Sequence, residues 1–193
     1  MHEDGKWLVR LCDGDQSAFE QLYVKYSAPL YRAVVAITRD HAVAEEILQE
    51  SFVRLYKYAH KLDRERPVLP WLHRVAINLS YNWHVRDRLR FTSLDHLVER
   101  WKLRLTNHVE IEAEYETRAR VNAVHTAIDK LNFDQRVVVV LFYLQGFSLV
   151  EIAETLAVPV GTAKSRLHYA RKSLEQMLLS DKQFSPEAVY EPV

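Results

Sequence analysis

The sequence predicts an all-α protein built from two small helical domains joined by a linker. Only 4 of the 193 residues are Gly and 6 are Pro, and this scarcity disfavours a turn-rich β fold. Hydrophobic residues make up 48% of the chain, enough for a packed core in each domain. Helix-forming residues dominate every long segment, and apolar residues recur at helical spacing in two separate blocks.

The N-terminal block predicts a domain of residues 1–92 with three helices. The first begins near residues 15–17, and Pro29 lies inside it, where a proline is expected to kink the helix or divide it in two. The second helix is predicted for residues 42–60 and the third for residues 70–90.

An acidic linker is predicted for residues 93–118, because the helical periodicity breaks there. It leads into a C-terminal domain of residues 119–180, and residues 181–193 are expected to form a frayed tail. Charge alone also makes the linker a candidate to hold the two domains together by pairing with a basic patch.

The charges are unevenly distributed, although the formal net charge is zero. Residues 62–91 contain six Arg against three acidic residues, and residues 159–172 contain four basic residues and no acidic one. Two basic segments separated by an acidic linker are typical of a protein that contacts nucleic acid at two places.

Composition and motifs exclude several other classes of protein. Cys12 is the only cysteine, so neither a disulfide within the chain nor a Cys-based zinc site is possible. The sequence has no phosphate-binding Gly-rich loop, no dinucleotide-binding turn and no zinc-protease motif, so we expect no enzyme activity, no cofactor and no metal site. Without a transmembrane apolar run or a signal-peptide core, the sequence predicts a soluble, cytoplasmic protein with no membrane insertion.

The predicted second helix has two distinct faces when it is drawn at 100° per residue. One side is expected to pack into the domain and carries Leu48, Phe52, Leu55, Tyr56 and Ala59. The opposite side carries Glu46, Gln49, Glu50 and Val53. On its own, this second side indicates no more than the solvated face of an amphipathic helix.

The eleven residues from Glu46 to Tyr56 follow the pattern acidic-x-x-Gln-acidic-x-Phe-aliphatic-basic-x-aromatic at every position. This stretch resembles the core-binding helix of bacterial RNA polymerase sigma factors of the extracytoplasmic-function (ECF) group. The resemblance implies that core RNA polymerase is bound by Glu46, Gln49, Glu50 and Val53. Basic or amide groups on the clamp helices of the largest polymerase subunit would complement these side chains.

The resemblance continues into the predicted third helix, from Trp71 to Asn78. In the family this helix reads the promoter element that becomes unpaired. A polar stripe on it, spaced by four residues at first, consists of Asn78, Asn82, Arg86, Arg88 and Arg90. Asn side chains can read base edges, and Arg side chains can hold phosphates. The residues expected to pack inward are Leu72, Val75, Ala76 and Leu79.

Aromatic residues near this stripe suggest stacking against single-stranded bases. Trp71 is expected in the core, whereas at least one of Tyr81 and Trp83 is expected to point outward, since they flank Asn82. The loop of residues 62–70 lies where the family captures a flipped-out base, but it lacks the Gly/Ser/Phe character often found there, and no pocket residue is assigned in it.

A helix-turn-helix is predicted near the C-terminus. Ser148 and Glu151 have the spacing of a capping box at the start of its first helix, and residues 157–159 form the turn. The second helix is predicted from Val160 to Met177. The residues on it that are expected to pack inward are Ala163, Leu167, Ala170 and Leu174.

Residues 159–172 are similar to the recognition helix of the same sigma-factor family, and residues 134–148 to the segment before it. Carried over position by position, the resemblance assigns base reading to Lys164, Ser165, His168 and Tyr169. It assigns phosphate contacts to Thr162, Arg166 and Arg171. No acidic residue within the segment can pair with the two Arg, which favours DNA contact over a solvated surface.

Two residues depart from the family pattern in this region. Ala157 stands where a turn Gly is common, and an Ala held in the left-handed conformation costs about 1 kcal/mol. Ala163 stands where a larger aliphatic residue usually packs. Both are expected to loosen the domain slightly, and neither removes a DNA contact.

The resemblance covers about residues 13–92 and 119–179. It implies a transcription initiation factor that binds core RNA polymerase and promoter DNA and is controlled by an anti-sigma protein. The alternative is a helix-turn-helix regulator that responds to a ligand or to phosphorylation and does not bind core polymerase, but this explains only the C-terminal segment. A helical adaptor that binds a protein and no DNA is a third interpretation, and the basic recognition helix counts against it.

Overall fold

The computed structural model describes residues 3–90 and 115–180, except for the side chains of residues 88–90 and 115–120. These residues form eight α-helices, with no strand among them, so the all-α prediction is confirmed. Within the same two stretches, no helix has the length and apolar composition that a membrane span requires. The predicted tail and most of the predicted linker lie outside the described residues.

Four helices come from the N-terminal part of the chain: α1 (Glu3–Cys12), α2 (Gln16–Thr38), α3 (His41–Tyr58) and α4 (Leu69–Arg90). A 3₁₀ turn, Ala59–Lys61, follows α3. The three predicted helices are therefore present as α2, α3 and α4, with ends within about two residues of the expected positions, as is usual for helix termini.

Helix α1 was not predicted from the sequence. A buried carboxylate on it forms hydrogen bonds with the rest of the domain. Asp4 accepts hydrogen bonds from Tyr26 Oη at 2.6 Å, from the backbone N–H of Val68 at 2.8 Å and from Lys25 Nζ at 2.9 Å. Burial raises the pKa of Asp4, but these donors outweigh burial and hold the pKa below its usual value. These partners lie far along the chain, so no local pattern indicates the burial of Asp4, although Leu8 and Leu11 follow the spacing of a buried helical face.

Helix α2 runs through Pro29 without a division, so of the two alternatives, a kink or a division, the division is wrong. The side chain of Asp15 caps its start by accepting from the backbone N–H of Ser17. Leu22 and Leu30 are fully buried on either side of the proline. Their packing stabilises a continuous helix despite the backbone hydrogen bond that a proline removes.

Helices α1 to α4 surround the first hydrophobic core. Its fully buried side chains include one or more from each helix, among them Leu8, Leu22, Leu30, Leu55 and Leu72. The inward prediction for Leu48, Phe52, Leu55 and Ala59 is confirmed by their burial. Trp71 is half-buried and packs against the same core, as expected.

The prediction that Tyr56 packs into the domain is wrong, because its side chain is 59% exposed. The ring lies at the edge of the helix and meets Phe19 of α2 edge-on, with 6.1 Å between ring centroids. Leu55 fills the core position beside it, so Tyr56 is left at the rim, where an aromatic ring with a polar tip is well accommodated.

The C-terminal part contributes the other four helices: α5 (Tyr115–Lys130), α6 (Phe133–Val139), α7 (Leu149–Leu156) and α8 (Val160–Leu179). A π-helical turn, Val140–Leu144, continues α6. The last two helices form the predicted helix-turn-helix. Helix α5 begins inside the segment assigned to the linker.

The second hydrophobic core joins the two parts of the chain. Val137, Leu141 and Ile152 are fully buried in it, and Ala163, Leu167 and Ala170 reach it from α8. Three residues from the N-terminal part also belong to this core, namely Ala33 and Ile37 of α2 and Ile77 of α4. The C-terminal helices therefore pack directly on the outer sides of α2 and α4.

Candidate functional site

The outer face of α3 is accessible along the side that was predicted to bind polymerase. Glu46 and Gln49 are exposed, Val53 is 43% exposed, and Glu50 is half-buried. Arg54, which the sequence analysis did not assign, holds Glu50 in place through an ion pair of 2.7 Å between Nε and Oε1. Their spacing of four residues on a helix is the signal that predicts this pair. The face therefore presents one oriented carboxylate beside one amide and one aliphatic side chain.

An aromatic cluster borders this face on the side of α2. The rings of Tyr23 and Phe52 lie 4.8 Å apart, and Phe19 meets Phe52 and Tyr56 edge-on at 6.1 Å each. Tyr23 and Tyr56 are exposed, as is the neighbouring Val24. An accessible apolar surface thus extends from Tyr56 of α3 to Tyr23 and Val24 of α2.

The polar stripe of α4 faces outward as predicted. Asn78, Asn82 and Arg86 are exposed, while Leu72, Ala76 and Ile77 on the other faces are buried. Arg74 is also exposed and lies one turn before Asn78, a position that the four-residue spacing indicates but that was not assigned. The side chains of Arg88 and Arg90 lie outside the described residues.

Tyr81 and Trp83 are both half-buried, so the expectation that one of them points outward is wrong. Tyr81 packs edge-on against Phe133 of α6, with 4.8 Å between ring centroids. The neighbouring ring of His84 stacks on the same Phe133 at 4.2 Å. The C-terminal helices cover this side of α4, which is a tertiary contact that no local pattern indicates.

His73 is a second contact between α4 and the C-terminal part. The ring is 1% exposed; Nδ1 donates to the carbonyl of Leu69 at 3.0 Å, and Nε2 lies 3.2 Å from the side-chain amide of Gln145, whose NH2 group donates to the neutral ring. Phe147 meets the ring edge-on at 4.9 Å. Burial lowers the pKa of His73, and the hydrogen bond to Leu69 opposes this shift only in part.

The helix-turn-helix has the predicted capping and turn. Ser148 and Glu151 form a full capping box, in which the side chain of each accepts from the backbone N–H of the other. Hydrogen bonds from Ser148 hold the pKa of Glu151 below its usual value. Ala157 adopts the left-handed conformation with φ of 52°, which is the strained state foreseen for an Ala at this position.

The recognition helix α8 presents most of its predicted contacts to solvent. Ala163, Leu167 and Ala170 are buried, so the opposite face is free. The exposed residues on that face are Lys164, Ser165, His168, Tyr169 and Arg171, and Thr162 is half-buried. Ser165 donates its hydroxyl to the carbonyl of Thr162 at 3.0 Å, so reading a base would require that hydroxyl to rotate.

Arg171 is oriented by aromatic residues that the sequence analysis did not assign. Its Nε donates to Tyr143 Oη at 2.7 Å, and the guanidinium carbon lies 5.4 Å from the centre of the Phe142 ring. Tyr143 is itself exposed, in the π-helical turn. An exposed Tyr at the end of an aliphatic run is the only signal for this role in the sequence.

Arg166 differs from the other predicted phosphate contacts, because it is already paired. Its Nη2 lies 2.8 Å from Asp134 Oδ2, and its side chain is only 25% exposed. The absence of acidic residues within the segment of residues 159–172 therefore does not leave Arg166 unpaired, because its partner comes from the start of α6.

The geometry defines a helical nucleic-acid-binding protein with two outward polar faces, one on α4 and one on the second helix of a helix-turn-helix. Among the side chains in the described stretches, no group of three or more His, Cys, Asp or Glu is placed to hold a metal ion. The exposed groups on both faces are amides, hydroxyls and cations, which suit base edges and phosphates.

Comparison with known proteins identifies the family. Residues 22–91 match the family model described as Sigma-70 region 2, and residues 122–174 match Sigma-70, region 4. The ECF RNA polymerase sigma factor SigW of Bacillus subtilis is 32% identical over 183 residues, which cover 90% of this chain and 95% of that protein. The RNA polymerase sigma-H factor of Pseudomonas aeruginosa is 28% identical and covers 91% of this chain and 94% of that protein.

Two solved structures share the fold. The structure of CnrH in complex with the cytosolic domain of CnrY has a TM-score of 0.66 at 22% identity and covers 93% of this chain and 99% of that one. The sigma factor RpoE from Bartonella quintana, in complex with the anti-sigma factor NepR, has a TM-score of 0.65 at 20% identity, with 85% and 98% covered.

The chain thus has both conserved regions of a sigma-70-type initiation factor, and it belongs to the ECF group of RNA polymerase sigma factors. It binds core RNA polymerase and directs promoter-specific initiation of transcription, and it is an initiation factor rather than an enzyme. The match of residues 22–91 accounts for the N-terminal helices, which the alternative of a regulator without polymerase leaves unexplained.

Proposed function

We propose that three outward helix faces divide the work of this sigma factor. The outer face of α3 binds core polymerase, the polar stripe of α4 reads the promoter element that opens, and the exposed face of α8 reads the duplex element. One observation carries the proposal: on all three helices most of the assigned side chains that the structure describes are exposed, on sides away from the residues buried in the two cores. These side chains are therefore available to partners without disturbing the fold.

The polymerase face consists of Glu46, Gln49, Glu50 and Val53. Replacing Gln49 and Glu50 together by Ala should weaken binding to core RNA polymerase at least tenfold, because both polar contacts are lost at the interface. Affinity is measured with a fluorescently labelled chain titrated with core enzyme. Circular dichroism of the double variant should match the unsubstituted protein.

A matched control is available on α8, where Glu175 and Gln176 are the same two residue types and are also exposed. Replacing this pair by Ala should leave polymerase affinity unchanged. Equal losses for both pairs, or no loss for Gln49 and Glu50, would rule out the α3 face.

The duplex element is assigned to Lys164, Ser165, His168 and Tyr169 for bases and to Thr162, Arg166 and Arg171 for phosphates. A recognition helix presents its N-terminal half to the major groove, and all of these residues except Arg171 lie in that half. Lys164→Ala should cost about 1–3 kcal/mol and relax specificity at one base pair. Arg171→Ala should instead weaken binding to all sequences and flatten its salt dependence.

The element that opens is assigned to Asn78, Asn82 and Arg86, with Arg88 and Arg90 continuing the series. Permanganate footprinting of a cognate promoter separates the two assignments. Holoenzyme with Asn78→Ala should bind the duplex normally and open it less, whereas holoenzyme with Lys164→Ala should lose duplex binding first. Parallel loss of binding and opening in both variants would show that the two helices do not divide the work.

We also propose the domain division of residues 1–92, a linker of residues 93–118, residues 119–180 and a tail of residues 181–193. The interval between the two matched family regions supports this division. Brief proteolysis should cut first between residues 93 and 118, and a first cut within α2 or α8 would contradict it.

An anti-sigma protein is the proposed regulator, and the cytoplasm, where polymerase and promoters meet, is the proposed location. Support comes from the two solved structures of similar fold, in which CnrH is bound by the cytosolic domain of CnrY and RpoE by NepR. Such a partner should compete with core polymerase for the chain. A protein that binds the chain without lowering its affinity for core polymerase would not be this regulator.

A further inference from the structure

One carboxylate joins the two helices that carry the predicted DNA contacts. Asp134, in the first turn of α6, accepts a hydrogen bond from Tyr81 Oη of α4 at 2.6 Å on one oxygen. Its other oxygen lies 2.8 Å from Arg166 Nη2 of α8. The three side chains Tyr81, Asp134 and Arg166 thus form a cluster that links α4 to α8, in which Tyr81 also contacts Arg166.

The surroundings of these three side chains fix their geometry. The Tyr81 ring is half-buried and held edge-on against Phe133, the residue before Asp134. Burial and the bond to Asp134 raise the pKa of the Tyr81 hydroxyl, which therefore stays protonated and donates. Asp134 is 43% exposed and Arg166 is 25% exposed, so solvent and a ligand can reach the ion pair from one side.

We propose that the Asp134 carboxylate pairs with the Arg166 guanidinium and so keeps it from binding a DNA phosphate. The hydrogen bond from Tyr81 fixes Asp134 in this position while α4 and the C-terminal helices are in contact. A carboxylate and a phosphate oxygen both accept charge-assisted hydrogen bonds from a guanidinium, so they compete for the same group. The other exposed cations assigned to α8, Lys164 and Arg171, have no acidic partner of this kind among the contacts described.

This competition makes duplex binding and the contact between the two parts of the chain mutually dependent. Separation of α4 from α6 removes the Tyr81 hydrogen bond, which loosens Asp134 and releases Arg166 for DNA. By thermodynamic reciprocity, DNA that takes Arg166 favours separation to the same degree. The contact is thus an autoinhibitory device that weakens duplex binding by the free protein.

The inference rests on the proposed function of α8 as the duplex-reading helix. The test measures binding of the full chain to a fluorescent duplex oligonucleotide at several salt concentrations. Asp134→Asn should tighten binding about twofold to fivefold, the range expected for releasing a partly exposed ion pair. It should also steepen the slope of log affinity against log salt by about 0.9, the value for one added phosphate contact.

Three controls separate competition from a mere loss of negative charge. Glu154→Gln removes an exposed acid from α7 of the same helix-turn-helix and should leave the salt slope unchanged. Asp134→Asn combined with Arg166→Gln should bind no more tightly than Arg166→Gln alone. Melting temperatures of all variants are compared, since Asp134 also lies in the first turn of a helix, where an acid is stabilising.

Tyr81→Phe tests the link to α4 and should tighten duplex binding by less than Asp134→Asn. Its effect should be smaller once Asp134 is replaced, because only the contact of Tyr81 with Arg166 then remains. Equal tightening by Asp134→Asn with and without Arg166, or no tightening at all, would overturn the proposal; an unchanged affinity for Tyr81→Phe would overturn the role of α4. Failure of Lys164→Ala to weaken duplex binding would instead refute the proposed function of α8.

Discussion

The two helices with predicted DNA contacts, α4 and α8, are held in different ways. Helix α4 contributes Leu72 and Ala76 to the first core and Ile77 to the second, so it is shared by both parts of the chain. Helix α8 buries its apolar face in the second core alone. Because α4 is packed on two sides, its outward stripe is narrow, whereas α8 exposes a wider face that includes His168 and Tyr169.

Because of this difference, substitutions in the two helices should affect the structure over different distances. A substitution in the buried face of α8 acts within one helix-turn-helix. A substitution in the buried faces of α4 acts on the contact between the two parts of the chain as well, because its neighbours come from both cores. Three predictions test this contrast.

Ile77→Ala should have the largest effect, a loss of about 2–5 kcal/mol in the free energy of unfolding, since a buried aliphatic side chain is truncated and leaves a cavity. Urea denaturation of the full chain measures it. Val85→Ala on the same helix is the control, because Val85 is 55% exposed and should change stability by no more than about 0.5 kcal/mol. Similar values for both variants would mean that α4 does not support the second core.

Ala157→Gly should raise the free energy of unfolding by about 0.5–1 kcal/mol, because Gly adopts a positive φ without the steric cost that Ala incurs. The effect should stay within the helix-turn-helix and leave polymerase binding unchanged. Ala28→Gly, at an exposed position inside α2, should have the opposite sign and cost about 1 kcal/mol. Destabilisation by both substitutions would refute the strained turn.

The smallest expected effect is the contribution of His73 to the pH dependence of the free energy of unfolding. Its folded-state pKa lies below the unfolded value, because the buried ring is kept neutral. The unfolded chain therefore binds more protons, so the contribution of His73 is complete above the unfolded pKa of about 6.5 and is lost as pH falls through the folded pKa.

Urea denaturation between pH 7.5 and pH 5.5 checks this prediction by comparing the unsubstituted chain with His73→Gln. The unsubstituted chain should lose more stability than the variant on acidification. His60→Gln, at an exposed position, should retain the full pH dependence. Identical pH profiles for His73→Gln and the unsubstituted chain would contradict a neutral buried ring.

Much of the candidate site was predictable, because helical periodicity places residues on faces without knowledge of the fold. The outward positions of Gln49, Asn78 and Lys164 follow from their places opposite the stripe of apolar residues that recur every three or four positions along each helix. The capping box and the strained Ala157 are also local features. Helical periodicity does not predict burial at the edge of an apolar face, because a side chain there is buried only if a neighbouring element covers it. Tyr56 is an example.

Residue spacing and motifs within single segments were enough to predict most of the helices, their buried sides and the family, although helix α1 was not predicted. Which polar side chains have partners elsewhere in the chain depends on the tertiary structure. Tyr81, His73 and Arg166 meet residues 53, 72 and 32 positions away along the chain, and Asp4 caps a network that reaches Val68. Such contacts arise because burial of both cores brings distant polar groups together, and groups that lose water must then find one another.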